Sequence, residues 1–355
     1  MINSRFSIGG QFQYDPKIFY DTPIRNINKL LFDGASSSLR FIITKLNFRS
    51  DEYALLPSYL CPTIIENFNK MNVKIIFYSI NYDFSINLVD LKSKLNNNKI
   101  KAIYFIEYFG MQHNYETIEF LKMMKSKGYT IIQDAVHTLY LNEYDNFIGT
   151  YCFNSLRKYG PIDGSILLSD VNLYLHNDYA YNTEYINTIM EARNEKYKYL
   201  KGEIGHEDIF LNKFKRAEEF YQDNKEISLL PLNKEKELEK LNLEYIKKKR
   251  IENFEFLDDY FKEKGNVTII TTKERFENSI PFAMIILIDS RDIVREKLFN
   301  KRIYCPILWD ISKCDYIKNF KESLKISQRI LMIPIDQRYD IEDMRKFVEV
   351  FNEIV

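Results

Sequence analysis

The chain has 355 residues, roughly two to two and a half domains at about 150 residues each, which is ample for a large core. Its 50 Lys and Arg balance 50 Asp and Glu, so with neutral His the net charge is zero. No global basic field is left to steer it onto nucleic acid, and the ordinary shares of apolar (45%) and charged (28%) residues exclude whole-chain disorder. Aromatics reach 15%, whereas the 11 glycines are few enough that each is more apt to mark a position needing one. The four cysteines (Cys61, Cys152, Cys305, Cys314) form no C-x-x-C pair. Free thiols in a reducing, cytoplasmic setting and no metal site are therefore expected. The N-terminal segment lacks the apolar stretch of a signal peptide, and the apolar run 280–288 is far too short to span a membrane.

In chain order, Leu39, Ile42, Ile43 and Leu46 fall on one face of a helix. Short β-branched and aromatic runs predict strands at Tyr53–Leu56, Val73–Tyr78, Lys101–Glu107, Tyr129–Gln133, Thr150–Asn154 and Ser165–Ser169. A second helix over Tyr115–Lys127 stops at Gly128. Strands alternating with helices predict a mostly parallel sheet covered on both faces. From about Asn187 to Phe261 the pattern is helical and dense in Lys and Glu, with an interruption near Ile227–Leu232. Its basic run Lys247–Arg250 reads as a solvated helix face, since Glu244 and Glu252 flank it. The last hundred residues resume with strand Ala283–Asp289, helix Arg291–Asn300, strands Arg302–Tyr304 and Arg329–Ile333, and a closing helix from Ile341. The expected division is a large domain over 1–230, with an N-terminal arm and a helical connector from about 187, and a small α+β domain over 231–355.

Three features bear on chemistry. Gly34-Ala35-Ser36-Ser37-Ser38 precedes the first helix, where small residues expose backbone N–H groups and the positive dipole end to an anion, although an ordinary Ser N-cap would look the same. Asp134 ends an apolar strand at the carboxyl edge of the sheet, the edge where open α/β folds bind ligands, and His137 follows three residues later. Lys158 lies in a turn with Ser155 and Arg157 between two short strands; it is either surface solvation or an amine held in a cleft at the same edge. Taken in this order, an anion cup, a strand-end carboxylate and a turn lysine are what pyridoxal 5′-phosphate (PLP) needs.

The segments carrying these residues resemble those of the DegT/DnrJ/EryC1/StrS (sugar) aminotransferases, a family of fold-type I PLP-dependent enzymes. GASSSLRFIITKL is similar to the family's phosphate-binding segment, and LLPSYLCPTIIENFNKMNVKIIFYSIN to its Pro-Ser strand-loop-helix. The stretch ending in QDAVHT resembles its Asp-Ala-x-His signature, and CFNSLRKYGPIDGSILLSD its Schiff-base segment. IYCPILW and LMIPIDQRYDIEDM are similar to segments near the family's C-terminus. The chain departs from the pattern in four places. Cys61 stands where a ring usually stacks on the cofactor, with Tyr59 the nearest ring that could substitute. The Schiff-base segment is one residue shorter, no Asn-Tyr-Arg segment is evident, and Trp309 stands about where many members carry His.

The resemblance implies an α/β fold-type I architecture, with a large mostly parallel mixed sheet and a small α+β C-terminal domain. It implies Lys158 as the Schiff-base lysine and proton carrier, Asp134 at the pyridine nitrogen, His137 beside the ring hydroxyl, and Ala35, Ser36 and Ser155 at the phosphate. Tyr304, Trp309 and Arg338 are expected on the substrate side. The implied activity is transfer of an amino group, from L-glutamate, to a keto group of a nucleotide-linked deoxysugar for surface polysaccharide or glycan synthesis. A cytoplasmic homodimer without nucleic-acid or membrane partners is the expected setting. The alternatives are transamination of a small phosphorylated ketone and a PLP-binding regulator without catalysis.

Overall fold

Mostly apolar runs without a strict alternation make the central strands, because a strand covered by helices on both faces has no solvent side to mark. In the computed structural model, which describes residues 7–15, 18, 29–96, 99–139, 147–175, 179–276 and 279–355, the first half contains eight strands and four α-helices among these residues. They are β1 (Ile8–Gly9), β2 (Leu30–Phe32), α1 (Ala35–Leu46), β3 (Tyr53–Pro57), α2 (Pro62–Lys70) and β4 (Lys74–Tyr78). There follow α3 (Leu88–Asn96), β5 (Ile100–Ile106), α4 (Tyr115–Ser126), β6 (Thr130–Ala135), β7 (Tyr151–Asn154) and β8 (Ser165–Ser169). Residues 1–6 and 19–28 of the expected N-terminal arm lie outside the described residues.

Strands β2 to β8 form one seven-stranded sheet in the order β2-β8-β7-β6-β5-β3-β4. The pairs from β4 through β7 are parallel, and β8 runs antiparallel to β7 and β2. The fold is thus mixed α/β with a mostly parallel sheet, as expected. Its middle strand is β6, where Asp134 pairs in register with Ile106 of β5 and Phe153 of β7. All three residues therefore open onto the carboxyl edge of the sheet.

The helical stretch resolves into α5 (Thr183–Lys201), α6 (Asp208–Asp223), α7 (Leu232–Glu239) and α8 (Leu243–Lys262). The remainder comprises β9 (Thr268–Ile269), β10 (Met284–Leu287), α9 (Arg291–Asn300), β11 (Ile303–Tyr304), α10 (Lys321–Arg329), β12 (Ile330–Ile333) and α11 (Ile341–Ile354). Strands β9, β10 and β12 form an antiparallel sheet, and β11 pairs in parallel with β1 from the other end of the chain. That pairing requires glycine, because a Cβ at Gly9 (φ +90°) would lie 2.1 Å from the Tyr304 carbonyl oxygen. One apolar core runs beneath the large sheet and through the C-terminal layer, and a second, formed by Tyr185, Ile189, Phe210, Phe214 and Tyr221 among others, joins α5 to α6. Among the described residues no helix is long and apolar enough to cross a membrane, and all four cysteines are free.

The basic run on α8 is only partly a solvated face. Lys248 and Lys249 reach Glu252 as expected, whereas Arg250 is 1% exposed. Its guanidinium donates to the carbonyls of Phe282 and Lys158 and to Gln337. A helix has an inner face as well as an outer one, and the charge run hid the residue that turns inward.

Asp163, five residues past Lys158, forms a buried two-point ion pair with Arg193 of α5 and accepts from the Tyr185 hydroxyl at 2.5 Å. Removing one partner leaves the other charge buried and unpaired. Asp163→Ala should therefore lose about 3–5 kcal/mol in urea unfolding. The double variant Asp163→Leu/Arg193→Met should recover most of that loss.

Candidate active site

Asp134 reaches its place because β6 is buried from Ile131 onward and the strand ends one residue after it. Its side chain is 1% exposed. One carboxylate oxygen accepts from the Tyr104 hydroxyl, and the other from the Val136 N–H at 3.0 Å. Tyr104 lies on β5 two residues before Ile106, the register partner of Asp134, and so shares its face of the sheet. Among the described residues Asp134 makes no ion pair. Burial pushes its pKa up to about 6, against the opposing pull of Tyr104, Val136 and the more distant Lys158 charge. A buried carboxylate of this kind is stabilised by a cation brought by a ligand.

The anion cup forms where α1 begins. Gly34 is the N-cap and provides no side-chain cap, and the first turn carries no acid. The positive end of the helix therefore faces the cavity beside Ala35 and Ser36. The Ser36 N–H donates to the hydroxyl of Tyr221 from α6 at 3.3 Å. Gly34 makes room for that contact, since a Cβ there would lie 2.3 Å from the same hydroxyl. Arg40, one turn further in, is engaged with Asn67, Ser37 and the Glu226 carbonyl.

Lys158 closes a short 3-10 turn over Leu156–Lys158, held by Leu156 N–H to the Gly164 carbonyl at 2.9 Å and Lys158 N–H to the Ser155 carbonyl at 3.2 Å. The side chain is half-buried. Burial and the adjacent Arg157 charge lower its pKa to about 8, against the pull of Cys61, Glu218 and Asp134. Burial also works against the Arg157 charge, but Tyr185, Tyr221, Glu218 and Asp163 outweigh it and hold the guanidinium above its usual value.

His137 is wholly buried among rings. Its imidazole stacks on Phe282 at 4.5 Å, Phe109 at 5.4 Å and Trp309 at 5.6 Å between centroids. Nδ1 accepts the Phe109 N–H at 3.3 Å, which puts the proton on Nε2, and among the described residues Nε2 has no partner. Burial and the Lys158 charge drive its pKa well below the usual value, so the ring stays neutral and Nε2–H remains a donor.

Ala35, Ser36, Asp134, His137, Ser155, Lys158 and Trp309 thus line a single cavity of about 220 Å³. Tyr59 does not. Its ring is buried behind Trp309, and its hydroxyl donates to the Leu308 carbonyl at 2.6 Å and accepts the Trp309 N–H at 2.7 Å. Tyr304 and Arg338 line an adjoining cavity of about 380 Å³, which shares Arg157 and Lys158 with the first. Arg338 is also structural: it pairs with Asp336 at 2.7 Å and donates to the Gly10 carbonyl at 3.1 Å. Tyr104, Glu218 and Tyr221 also line the first cavity and carry no local signal in the sequence. Arg157 and Cys61 line it too and are marked in the sequence only by their places, beside Lys158 and after the Pro-Ser segment.

Two pH effects follow. Trapping of pyridoxal by borohydride on the ligand-free protein, located at Lys158 by mass spectrometry, should rise through an apparent pKa near 8 rather than 10.5. Arg157→Ala should move that midpoint upward, because it removes a like charge. Asp134 has a folded pKa raised from 3.8 to about 6, so its contribution to stability is full below pH 3.8 and lost as the pH rises through about 6. Asp134→Asn, which cannot ionise, should gain stability over the wild type across that window in denaturant titrations of the ligand-free protein.

No known sequence family and no curated protein matches the chain. Solved structures do. Spr1654 of Streptococcus pneumoniae, described as a sugar aminotransferase and solved in its PMP form, superposes with a TM-score of 0.66 at 11% identity, over 98% of this chain and 92% of that one. A DegT/DnrJ/EryC1/StrS aminotransferase from Brucella abortus gives 0.64 at 17% identity, over 91% of this chain and 85% of its own. DesI, solved with its TDP-sugar product, gives 0.64 at 11% identity, over 91% and 79%. The chain has the fold of the DegT/DnrJ/EryC1/StrS-type aminotransferases, the fold-type I architecture of PLP-dependent enzymes.

Proposed function

We propose that the chain is a PLP-dependent aminotransferase that moves an amino group from L-glutamate to a keto group of a nucleotide-linked sugar. The observation that carries this reading is the unpartnered, buried Nε2–H of His137 in the same cavity as an uncompensated carboxylate, a low-pKa lysine and an open helix N-terminus. These are the complements of a phenolic oxygen, a ring N–H⁺, an aldehyde and a phosphate, so the residues fit the cofactor. Asp134 would hold the pyridine nitrogen protonated, His137 would donate to the ring oxygen, and α1 with Ser36 and Ser155 would hold the phosphate. When bound, PLP supplies a protonated ring that takes up the electron pair released on breaking the C–H bond beside the amine.

The chain's own residues do the rest. Lys158, with a pKa of about 8, is neutral in a useful fraction near pH 7 and can take or return a proton at Nζ. Trp309 and the His137 stack exclude water from one wall. The second cavity meets the first at Lys158, and four arginines line it (157, 250, 295 and 338), which suits a substrate bearing a diphosphate. DesI, solved with a TDP-sugar, supports that substrate class. A homodimer in the cytoplasm is the setting in which we read it.

Mixed with L-glutamate, PLP-loaded protein should lose its visible absorption band and gain the near-ultraviolet band of the amine form. Lys158→Ala should slow this conversion by about 10²–10⁴-fold or more. Wild-type protein that holds PLP yet converts with no amino acid would overturn the aminotransferase reading in favour of a regulator.

A further inference from the structure

Arg157 occupies the junction of the two cavities and is fixed there more firmly than a surface arginine needs to be. Its guanidinium lies 4.8 Å over the ring of Tyr221, whose hydroxyl touches the first turn of α1. NH1 donates to Glu218 at 3.1 Å, one helical turn before Tyr221 on α6. Glu218 takes one nitrogen, and among the described residues no other side chain accepts from the guanidinium. Half-exposed ion pairs of this kind stabilise a fold by about 0–1 kcal/mol, so stability alone is a weak reason for the arrangement. It also has a cost, because the Arg157 charge disfavours a protonated Lys158 next to it. Of the other cations lining the first cavity, Lys158 is the amine that meets the aldehyde in the reading above, Arg40 is engaged with Asn67, Ser37 and the Glu226 carbonyl, and Lys70 faces Glu66 at the exposed end of α2. The helix N-terminus contributes about half a charge, too little to balance a phosphate dianion. The orphan His137 Nε2–H marks the same cavity as one built for a ligand.

We propose that Arg157, positioned by Tyr221 and Glu218, is the cation that binds the cofactor's phosphate at the start of α1. The planar guanidinium can meet two phosphate oxygens at once, which an ammonium cannot. The proposal rests on the PLP reading above, and the test separates the two. Ligand-free wild-type, Arg157→Ala and Arg157→Lys proteins are titrated by absorbance with PLP and with pyridoxal, which lacks the phosphate. Arg157→Ala should weaken PLP binding by about 10- to 100-fold more than it weakens pyridoxal binding, the size expected for a lost charged hydrogen bond. The loss for pyridoxal itself reflects only the raised Lys158 pKa. Arg157→Lys, which keeps the charge without the fork, should fall between and provides the same comparison if the alanine variant does not fold. Equal weakening of both ligands, or of neither, would overturn the proposal, as would a wild type with no preference for PLP over pyridoxal. A wild type that binds neither compound would sink the cofactor reading itself.

Discussion

The site depends on one unsettled charge. Asp134 is buried at the end of the central strand with a tyrosine hydroxyl and one backbone N–H as its partners and, among the described residues, no cation in contact. A protein that needed this position only for packing would place an apolar residue there, because burying a carboxylate without a counter-charge works against folding. The surroundings preserve the debt instead of cancelling it. Tyr104 is neutral, His137 is kept neutral by burial, and the nearby Lys158 has its own charge disfavoured by burial and by Arg157. Three ionisable groups in one cavity thus have their pKa values pushed in directions that leave room for a positively charged ring.

Part of the aromatic content lies around the site. Tyr59, Phe84, Tyr108, Phe109, His137, Phe282 and Trp309 form a continuous stack of contacts beneath the site. Each ring buries a large apolar area with few rotatable bonds. The polar tips then find partners at once: Tyr108 donates to the Tyr59 carbonyl and Tyr159 to that of His137. An aliphatic layer would fill the volume but could not fix the imidazole plane in this way.

The strands from Tyr53 to Ser169 were readable because apolar runs bounded by turns have few other solutions, and the cavity residues Asp134 and Lys158 because one ends such a run and the other lies in the turn between two. Strand β2 was not readable: three residues show no period, and its place at the sheet edge comes only from pairing with β8. Helix α3 was also missed, since its sequence LVDLKSKLN buries only Leu91. Tyr221 and Glu218 lie some sixty residues from Lys158, so their convergence on the cup is a property of the tertiary fold. Tyr59 shows the opposite difficulty. Its position in the chain is beside the site, but strand geometry turns the ring behind Trp309, and no periodicity in a five-residue strand says how a loop after it will turn.

The tail of the chain holds the turn that carries Lys158. Arg250 donates to the carbonyl of Lys158, Gln337 to that of Tyr159, and Trp309 forms a wall of the cavity. In order of synthesis, the turn that carries Lys158 is made before any of these supports exists. A nascent chain therefore has the lysine and the carboxylate before the frame around them, and the cavity can close only after Arg250, Trp309 and Gln337 have emerged.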